Sequence, residues 1–307
     1  MRALVTGGGG FVGRAIVEHL KRKGAQVDVL GRTSDVEVIA DLALGPPCFA
    51  EAYDLVVHAA GKAHVVPRTA AERQTFHNVN AVGTRHLLDA LEGREPEAIV
   101  LISTVAVYGR EAGEGIPEDA PLLATDPYGA SKVEAERIVA DWVADRGVRS
   151  AALRLPLVAG PRPPGNLGAM LQALAAGRYL GIGNGAARRS IVLADDVAAV
   201  VPTAAAVGGT YNLTDGVHPS FAEIEVAMAQ ALGVPAPRHL PQWTAVWGGV
   251  VGDGVLAMTG WRPPLTTRTV RKMTSTLTLS DARARAALDW RPRPVLSAIE
   301  DWGRSAS

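Results

Sequence analysis

The sequence predicts a doubly wound parallel α/β sheet with a smaller C-terminal lobe. Three observations predict it. Strand-like and helix-like stretches alternate through the first half of the 307 residues, as parallel strands joined by crossover helices require. The first strand closes on a glycine run at Gly7–Gly13, with a helical pattern directly behind it. The second half changes texture, with proline and glycine clustered at 160–168 and again at 235–241.

The elements follow in order. Arg2–Thr6 reads as a short buried strand. Phe11 to Lys23 has apolar residues at Phe11, Val12, Ala15, Ile16 and Leu20, which is helical spacing, and Gly24 stops it. Ala25–Leu30 is a second strand, Val36–Ala40 a short third and Asp54–His58 a buried fourth. Glu72 to Leu91 predicts one long helix, with Val79, Val82, Leu87, Leu88 and Leu91 on its apolar side. Ala98–Ser103 is a strand, Pro127 opens a helix that runs through Tyr128–Val143, and Ser150–Leu155 is a strand again. The expected division is a sheet domain over 1–160 and a lobe over 161–307, with segments near 180–215 returning to the main sheet. Doubly wound sheets bind ligands beyond the carboxyl ends of their strands. The chemically suggestive residues fall there, at Thr6–Gly13, Gly31–Arg32, His58–Lys62, Ser103–Tyr108 and Pro156–Pro161.

Composition narrows the class. Lys+Arg and Asp+Glu are 31 each, so net charge makes no case for nucleic acid or an anionic membrane as partner. The 48% hydrophobic content supports a sizeable core. One cysteine, Cys48, cannot form an internal disulfide or a structural zinc site; it reads as a small, partly buried apolar residue, and no metal is expected. The apolar run Ala3–Val5 is too short for a signal-peptide core. Trp243 to Val255 is apolar but broken by glycines and Asp253, short of the ~18 uninterrupted residues a membrane helix needs. A cytoplasmic protein is expected.

Gly7-x-x-Gly10-x-x-Gly13 stands between a strand and a helix, with Phe11 and Val12 at the helix start. A dinucleotide pyrophosphate needs free backbone N–H groups there and no side chain in the way. The second strand ordinarily ends in an acid that holds the adenosine ribose. Here it ends Gly31-Arg32-Thr33, and a guanidinium matches a 2′-phosphate. NADP is therefore the expected cofactor and NAD the alternative. Asp41 and Leu42 follow the third strand, where they reach the adenine; a solvated loop aspartate is the other reading of Asp41.

Tyr128 and Lys132 are four apart on one helix and share a face. A phenol ionises near pH 10, and a neighbouring ammonium lowers that value towards the range useful in proton transfer. Thr104, with Ser103 before it, lies at a strand end, where its hydroxyl can donate to a substrate oxygen.

Together these residues resemble the extended short-chain dehydrogenase/reductase family, in particular its UDP-galactose 4-epimerase-like branch for nucleotide sugars, built on a Rossmann sheet. Thr6–Gly13 resembles the cofactor motif, Val57–Gly61 the segment under the nicotinamide, Asn78–Thr84 the Asn-containing helix, Ser103–Gly109 the Ser/Thr strand end and Tyr128–Lys132 the catalytic helix. Leu153–Pro156 with Gly160-Pro161 resembles the segment near the carboxamide. The resemblance implies Tyr128 as acid–base residue, Lys132 as its activator and ribose ligand, and Thr104 as hydroxyl partner of the substrate. It implies cofactor contacts at Gly7, Gly10, Phe11, Val12, Gly13, Arg32, Asp41, Leu42, Ala59, Ala60, Gly61, Tyr128, Lys132, Pro156 and Val158. In the lobe, Asn166 would touch the nucleotide, Arg189 its pyrophosphate, and Arg271 would supply a second cation. Two departures stand out: Thr104 where serine is common, and no acid at Gly31.

What the resemblance implies is hydride chemistry at C4 of a nucleotide-linked sugar, by a 4-keto-sugar reductase or a 4-epimerase. The alternatives are a reductase of a non-sugar carbonyl and a non-catalytic cofactor sensor on the same fold. No acidic pair follows Thr104, which argues against a dehydratase. Trp243, Trp247 and Trp261 read as packing residues rather than base stackers. Apolar faces on Glu72–Leu91 and Tyr128–Val143 make a homodimer the expected assembly.

Overall fold

The computed structural model describes residues 1–63, 65–259, 263 and 265–304. The first half alternates β1 (Arg2–Thr6), α1 (Phe11–Arg22), β2 (Gln26–Gly31), β3 (Val38–Ile39), β4 (Leu55–His58), α2 (Ala70–His77), α3 (Gly83–Asp89), β5 (Ala98–Thr104), β6 (Gly113–Ile116), α4 (Pro127–Val143) and β7 (Arg149–Leu155). β8 (Leu157–Ala159), α5 (Gly165–Ala175), β9 (Leu180–Ile182), β10 (Ile191–Leu193), α6 (Ala194–Val207), β11 (Gly209–Asn212) and α7 (Phe221–Leu232) follow. The chain then adds β12 (Arg238–Leu240), α8 (Gln242–Thr259), α9 (Thr267–Thr274), β13 (Leu277–Leu279), α10 (Ala282–Leu288) and α11 (Val295–Arg304).

Seven parallel strands form the main sheet in the order β11-β7-β5-β4-β1-β2-β3. Strand order reverses between β1 and β4, and a doubly wound sheet opens its ligand crevice at such a reversal. Side chains alternate across each strand. Ala3, Val5, Leu55, Val57, Val100 and Leu153 face α1 and α6 in one core. Leu4, Val56, Ile99 and Leu101 enter a second core with Leu87, Leu88 and Trp142. Burial on both faces explains why these strands read as continuous apolar runs rather than alternating ones.

The smaller lobe has its own core of Leu167, Met170, Leu174, Ile224, Met228 and Ile299. Of the segments near 180–215, β11 joins the main sheet, β10 pairs with β8, and β9 pairs with β12 inside the lobe. The β6–β13 pair ties the lobe to the sheet domain.

Three expectations need correction. The stretch Glu72–Leu91 is not one regular helix. It begins at Ala70, capped by Thr69, and a π-helical turn at Asn78–Val82 separates α2 from α3. The extra residue in that turn accompanies an inward Asn80 side chain, which takes up three polar partners described below. Trp243 and Trp247 do not pack; they are 67% and 68% exposed, because α8 packs through its small residues Ala245, Gly249 and Gly252. Trp261 lies outside the described residues. Cys48 is exposed rather than partly buried, since the neighbouring Pro47 and Phe49 take the inward positions.

Candidate active site

The cradle is built by steric exclusion. Gly7 has φ +69°, and a Cβ there would stand 2.7 Å from the Ala60 backbone. At Gly13 a Cβ would run into the Gly7 carbonyl. These two glycines close the turn and let α1 approach β1 and β4. A Cβ at Gly9 would meet nothing within 4 Å, so open space lies above the turn. Gly10 is the N-cap of α1 and donates to the Gly7 carbonyl at 2.9 Å, and no side chain caps the helix. A helix end with free N–H groups beside open space fits a pyrophosphate.

Arg32 is exposed at the end of β2, 3.8 Å from the Asp41 carboxylate. Asp41 accepts from the Ala43 N–H, while the Leu42 side chain is buried in the second core. Ala59, Ala60 and Gly61 continue from β4, and Thr6 Oγ1 accepts from the Ala60 N–H at 3.1 Å. Pro156 and Val158 sit where β7 gives way to β8.

β5 ends in Thr104, and α4 brings Tyr128 to it. Pro127 opens α4 and Asp126 caps it by accepting from Gly129 N–H at 3.1 Å. A Cβ at Gly129 would stand 2.7 Å from the Ala106 carbonyl, so the helix start comes against the turn that follows β5. The Tyr128 phenol lies close to the Thr104 hydroxyl. Burial pushes the phenol above its ordinary value, the neighbouring Thr104 hydroxyl pulls it back, and Asp126 adds to the rise. The lowering expected from Lys132 is therefore not what this structure gives. Burial acts on Lys132 as well, holding its ammonium down to about 8 against the pull of Glu136. The site resists charge on both groups, and an acid–base pair is tuned by such an environment.

The sequence profile of the NAD dependent epimerase/dehydratase family matches residues 3–213. The chain belongs to that family. A UDP-glucose 4-epimerase of Azospirillum brasilense is 34% identical over 181 residues, covering 54% of this chain and 52% of that protein. A dTDP-glucose 4,6-dehydratase of Neisseria meningitidis serogroup B is 30% identical over 263 residues, covering 73% of each. The chain thus spans about half the length of the 4-epimerase it matches. Among solved structures, the human epimerase family protein SDR39U1 with NADPH superposes with a TM-score of 0.77 at 22% identity, covering 99% of both chains. The UDP-glucose 4-epimerase of Thermus thermophilus in complex with NAD gives 0.74 at 24%, covering all of both chains. At that identity the likeness establishes the fold.

Around this candidate site the structure adds residues that sequence reasoning leaves without a role. Asn80 Oδ1 accepts from Lys62 N–H at 2.7 Å, while Nδ2 donates to the Lys62 carbonyl and to Ser131 Oγ. It fastens the segment after β4 to α4. His58 is buried behind it between two threonines, at 2.7 Å from Thr6 Oγ1 and 2.9 Å from Thr84 Oγ1. Thr84 spends its hydroxyl proton on the Asn80 carbonyl, so His58 Nε2 must donate to Thr84 and Nδ1 accept from Thr6. Burial, with Lys132 nearby, drops the His58 value to about 3. The asparagine lies in a recognisable segment; the π-helical turn that aims it has no sequence signal of its own.

In the lobe the expected substrate residues separate. Asn166 is exposed in the first turn of α5. Arg271 is 64% exposed and ion-paired to Glu111 at 3.4 Å. Arg189 is different. It is 9% exposed, donates to the Lys272 carbonyl, and stacks over Phe221 at 5.4 Å. No ion pair joins it to a carboxylate among the described residues, and burial lowers its pKa. Lys272 is lowered too, by burial first and then by Arg268, with Arg189 adding to the effect. Its charge also feels Asp126, the cap of α4. Cations of the lobe thus border the start of α4. A cavity of about 210 Å³ lies nearby, lined by Ile182, Asn184, Ala187, Gln242 and Met273.

Proposed function

We propose that this chain is an NADPH-dependent reductase of a 4-keto group on a nucleotide-linked sugar. The observation that carries the substrate class is Arg189, a buried guanidinium with no carboxylate partner among the described residues. A buried charge of this kind is costly unless an anion pairs with it, and a sugar-nucleotide diphosphate supplies one in the geometry guanidinium prefers. Asn166 and Arg271 complete this reading as flanking contacts, and a homodimer through the α2–α3 and α4 faces belongs to it. Several curated relatives are UDP-glucose 4-epimerases.

The cradle would hold NADPH, with Arg32 on the 2′-phosphate and Lys132 on the nicotinamide ribose, and its reduced nicotinamide would supply the hydride. Tyr128 donates its phenolic proton to the C4 oxygen as that carbon is reduced. Its raised pKa suits a group that must keep the proton until the oxygen becomes basic. Thr104 donates a hydrogen bond to the same oxygen, and the Lys132 charge stabilises the phenolate left behind. Thr104 is followed by Val105 and Ala106, without the acidic pair a dehydration calls for.

A second reading, a 4-epimerase with retained NAD, is favoured by the relatives' names. Incubation with a panel of nucleotide sugars and 4-keto sugars separates the two. Stoichiometric NADPH consumption is expected; interconversion of sugars without consumption means epimerase. Tyr128→Phe is expected to abolish either activity, and full turnover by that variant would overturn the mechanism.

A further inference from the structure

Thr6, His58, Thr84, Asn80 and Ser131, all at most 3% exposed, form one hydrogen-bond chain between the glycine cradle and Tyr128. Thr6 closes β1. Its Oγ1 accepts from Ala60 N–H at 3.1 Å and lies 2.7 Å from His58 Nδ1. His58 Nε2 donates to Thr84 Oγ1 at 2.9 Å, and Thr84 donates to the Asn80 carbonyl at 2.5 Å. Asn80 Nδ2 donates to Ser131 Oγ at 2.8 Å, and Ser131 donates to the Tyr128 carbonyl, also at 2.8 Å. The chain thus crosses from the end of β1, through the end of β4 and the π-helical turn, to the first turns of α4.

Its protons run in one direction. Thr6 already accepts the Ala60 N–H, so its own proton goes to His58 Nδ1 and the ring proton sits on Nε2. In the other tautomer Nδ1 would donate to Thr6, whose proton would lose its acceptor in the chain, and Thr84 would have to turn from the Asn80 carbonyl to Nε2. A doubly protonated ring fails at Thr6 in the same way. Adhesion alone does not call for such a chain. Two apolar cores already join the sheet to its helices, and apolar groups of the same shape could be buried at little cost. What a fully satisfied polar network adds is a single geometry. Thr84 holds the Asn80 carbonyl from one turn further on, and so fixes the π-helical turn that aims the Asn80 amide. That geometry converges beside Gly61, where a Cβ would stand 3.2 Å from Asn80 Oδ1 and 3.9 Å from Lys132 Nζ.

We propose that His58 is a positioning residue for the proton-transfer step: through Thr84, Asn80 and Ser131 it fixes where Tyr128 and Lys132 stand relative to the cradle. This role rests on Tyr128 being the acid–base residue. Two measurements test it. The first needs no substrate: long-range proton–nitrogen NMR spectra of the full chain at pH 7, with the His58 signal assigned by its absence from His58→Gln. A neutral ring protonated on Nε2 is expected; a ring protonated on Nδ1, or on both nitrogens, would overturn the proposal. The second uses whichever nucleotide sugar or 4-keto sugar turns over. Thr84→Val keeps the shape of the side chain and cuts the chain of bonds. It is expected to lower kcat about tenfold or more with KM for the sugar changed less than about twofold, and Thr84→Ser is expected to recover most of the loss. Ser131→Ala cuts the same chain at its other end, so the double variant is expected to lose no more than the worse single one. A purely structural chain would lower the unfolding temperature of each variant and leave the kcat of the folded protein intact. Unchanged kcat in folded Thr84→Val, or losses that multiply in the double variant, would sink the proposal. Should Thr84→Val not fold, His58→Gln with Ser131→Ala runs the same cycle. Tyr128→Phe keeps the two readings apart. Turnover in that variant would sink the acid–base role itself, whereas turnover lost there and kept in Thr84→Val sinks only the positioning role.

Discussion

Arg154 grips Glu136 with two nitrogens, Nη2 to Oε2 at 2.7 Å and Nε to Oε1 at 3.1 Å, and their side chains are 6% and 10% exposed. Glu136 stands one helical turn beyond Lys132 and also accepts from Ser103, the residue before Thr104. Arg154 Nη1 reaches on to Tyr108 and to the Glu118 carbonyl. The pair thus clamps the end of β5, α4 and β7 into one unit. Removing one partner leaves a buried, uncompensated charge, at a cost of about 3–5 kcal/mol. Glu136→Leu is expected to lower the unfolding free energy by that much, while Glu136→Leu with Arg154→Met recovers most of it. Urea denaturation of the three proteins decides; a single variant as stable as the parent would show that the pair contributes nothing.

This clamp marks where sequence reasoning runs out. The glycine cradle and the Tyr128/Lys132 spacing are legible because each is local: a turn that excludes Cβ atoms, and two positions on one helical face. The sheet is legible because strands covered on both faces are apolar throughout. The bond between Glu136 and Arg154 depends on which strands lie side by side, and no local pattern announces that. The same holds for Arg189, readable as a phosphate ligand only through resemblance, whose burial without a carboxylate comes from α9 folding across it. Trp243 and Trp247 mislead because an apolar helix implies burial; the glycines after them, which read as interruptions, are what let the chain pack by the opposite face.

The cradle makes a paired prediction. Gly13→Ala drives a methyl against the Gly7 carbonyl and is expected to disturb the turn itself, lowering stability by about 1–3 kcal/mol as well as abolishing cofactor binding. Gly9→Ala meets open space, so the fold is expected to survive at nearly full stability while cofactor affinity falls about tenfold or more, because the methyl enters the phosphate's room. Thermal unfolding and NADPH fluorescence titration of both variants check this. Equal loss of stability in the two would contradict the assignment of separate tasks to the two glycines.

His58 predicts an acid response. Its folded-state value of about 3 lies below the ordinary 6.5, so the unfolded chain takes up the proton first. Stability from this group is full above pH 6.5 and is lost as pH falls towards 3. Between pH 6.5 and 5, where most carboxylates are still ionised, the loss is about 2 kcal/mol. His58→Gln is expected to be less stable at pH 7, because the bonds to Thr6 and Thr84 are disturbed, yet to lose less on acidification. Denaturation curves at two pH values measure the difference; parallel losses in both proteins would exclude His58 as the source.

Lys132 carries the opposite sign. Burial holds its value to about 8, against an ordinary 10.5, so the unfolded chain binds this proton more tightly. The penalty of a buried ammonium is complete below pH 8 and is relieved as pH rises from 8 to 10.5. Lys132→Met removes the charge and keeps an apolar stem. It is expected to raise stability at pH 7 by on the order of 1–3 kcal/mol, and to abolish the part of the pH dependence lying above 8. In the proposed reduction the same charge stabilises the Tyr128 phenolate, so the variant is expected to lose a hundredfold or more in turnover, to about the level left without acid–base catalysis. Parent turnover is expected to fall as pH rises through about 8, where the ammonium is lost. Calorimetry of the two proteins at pH 7 and 10, beside the pH–rate profile, tests both halves. A variant that is less stable at neutral pH would mean that Lys132 is held by the fold for structure rather than for the charge it brings to Tyr128.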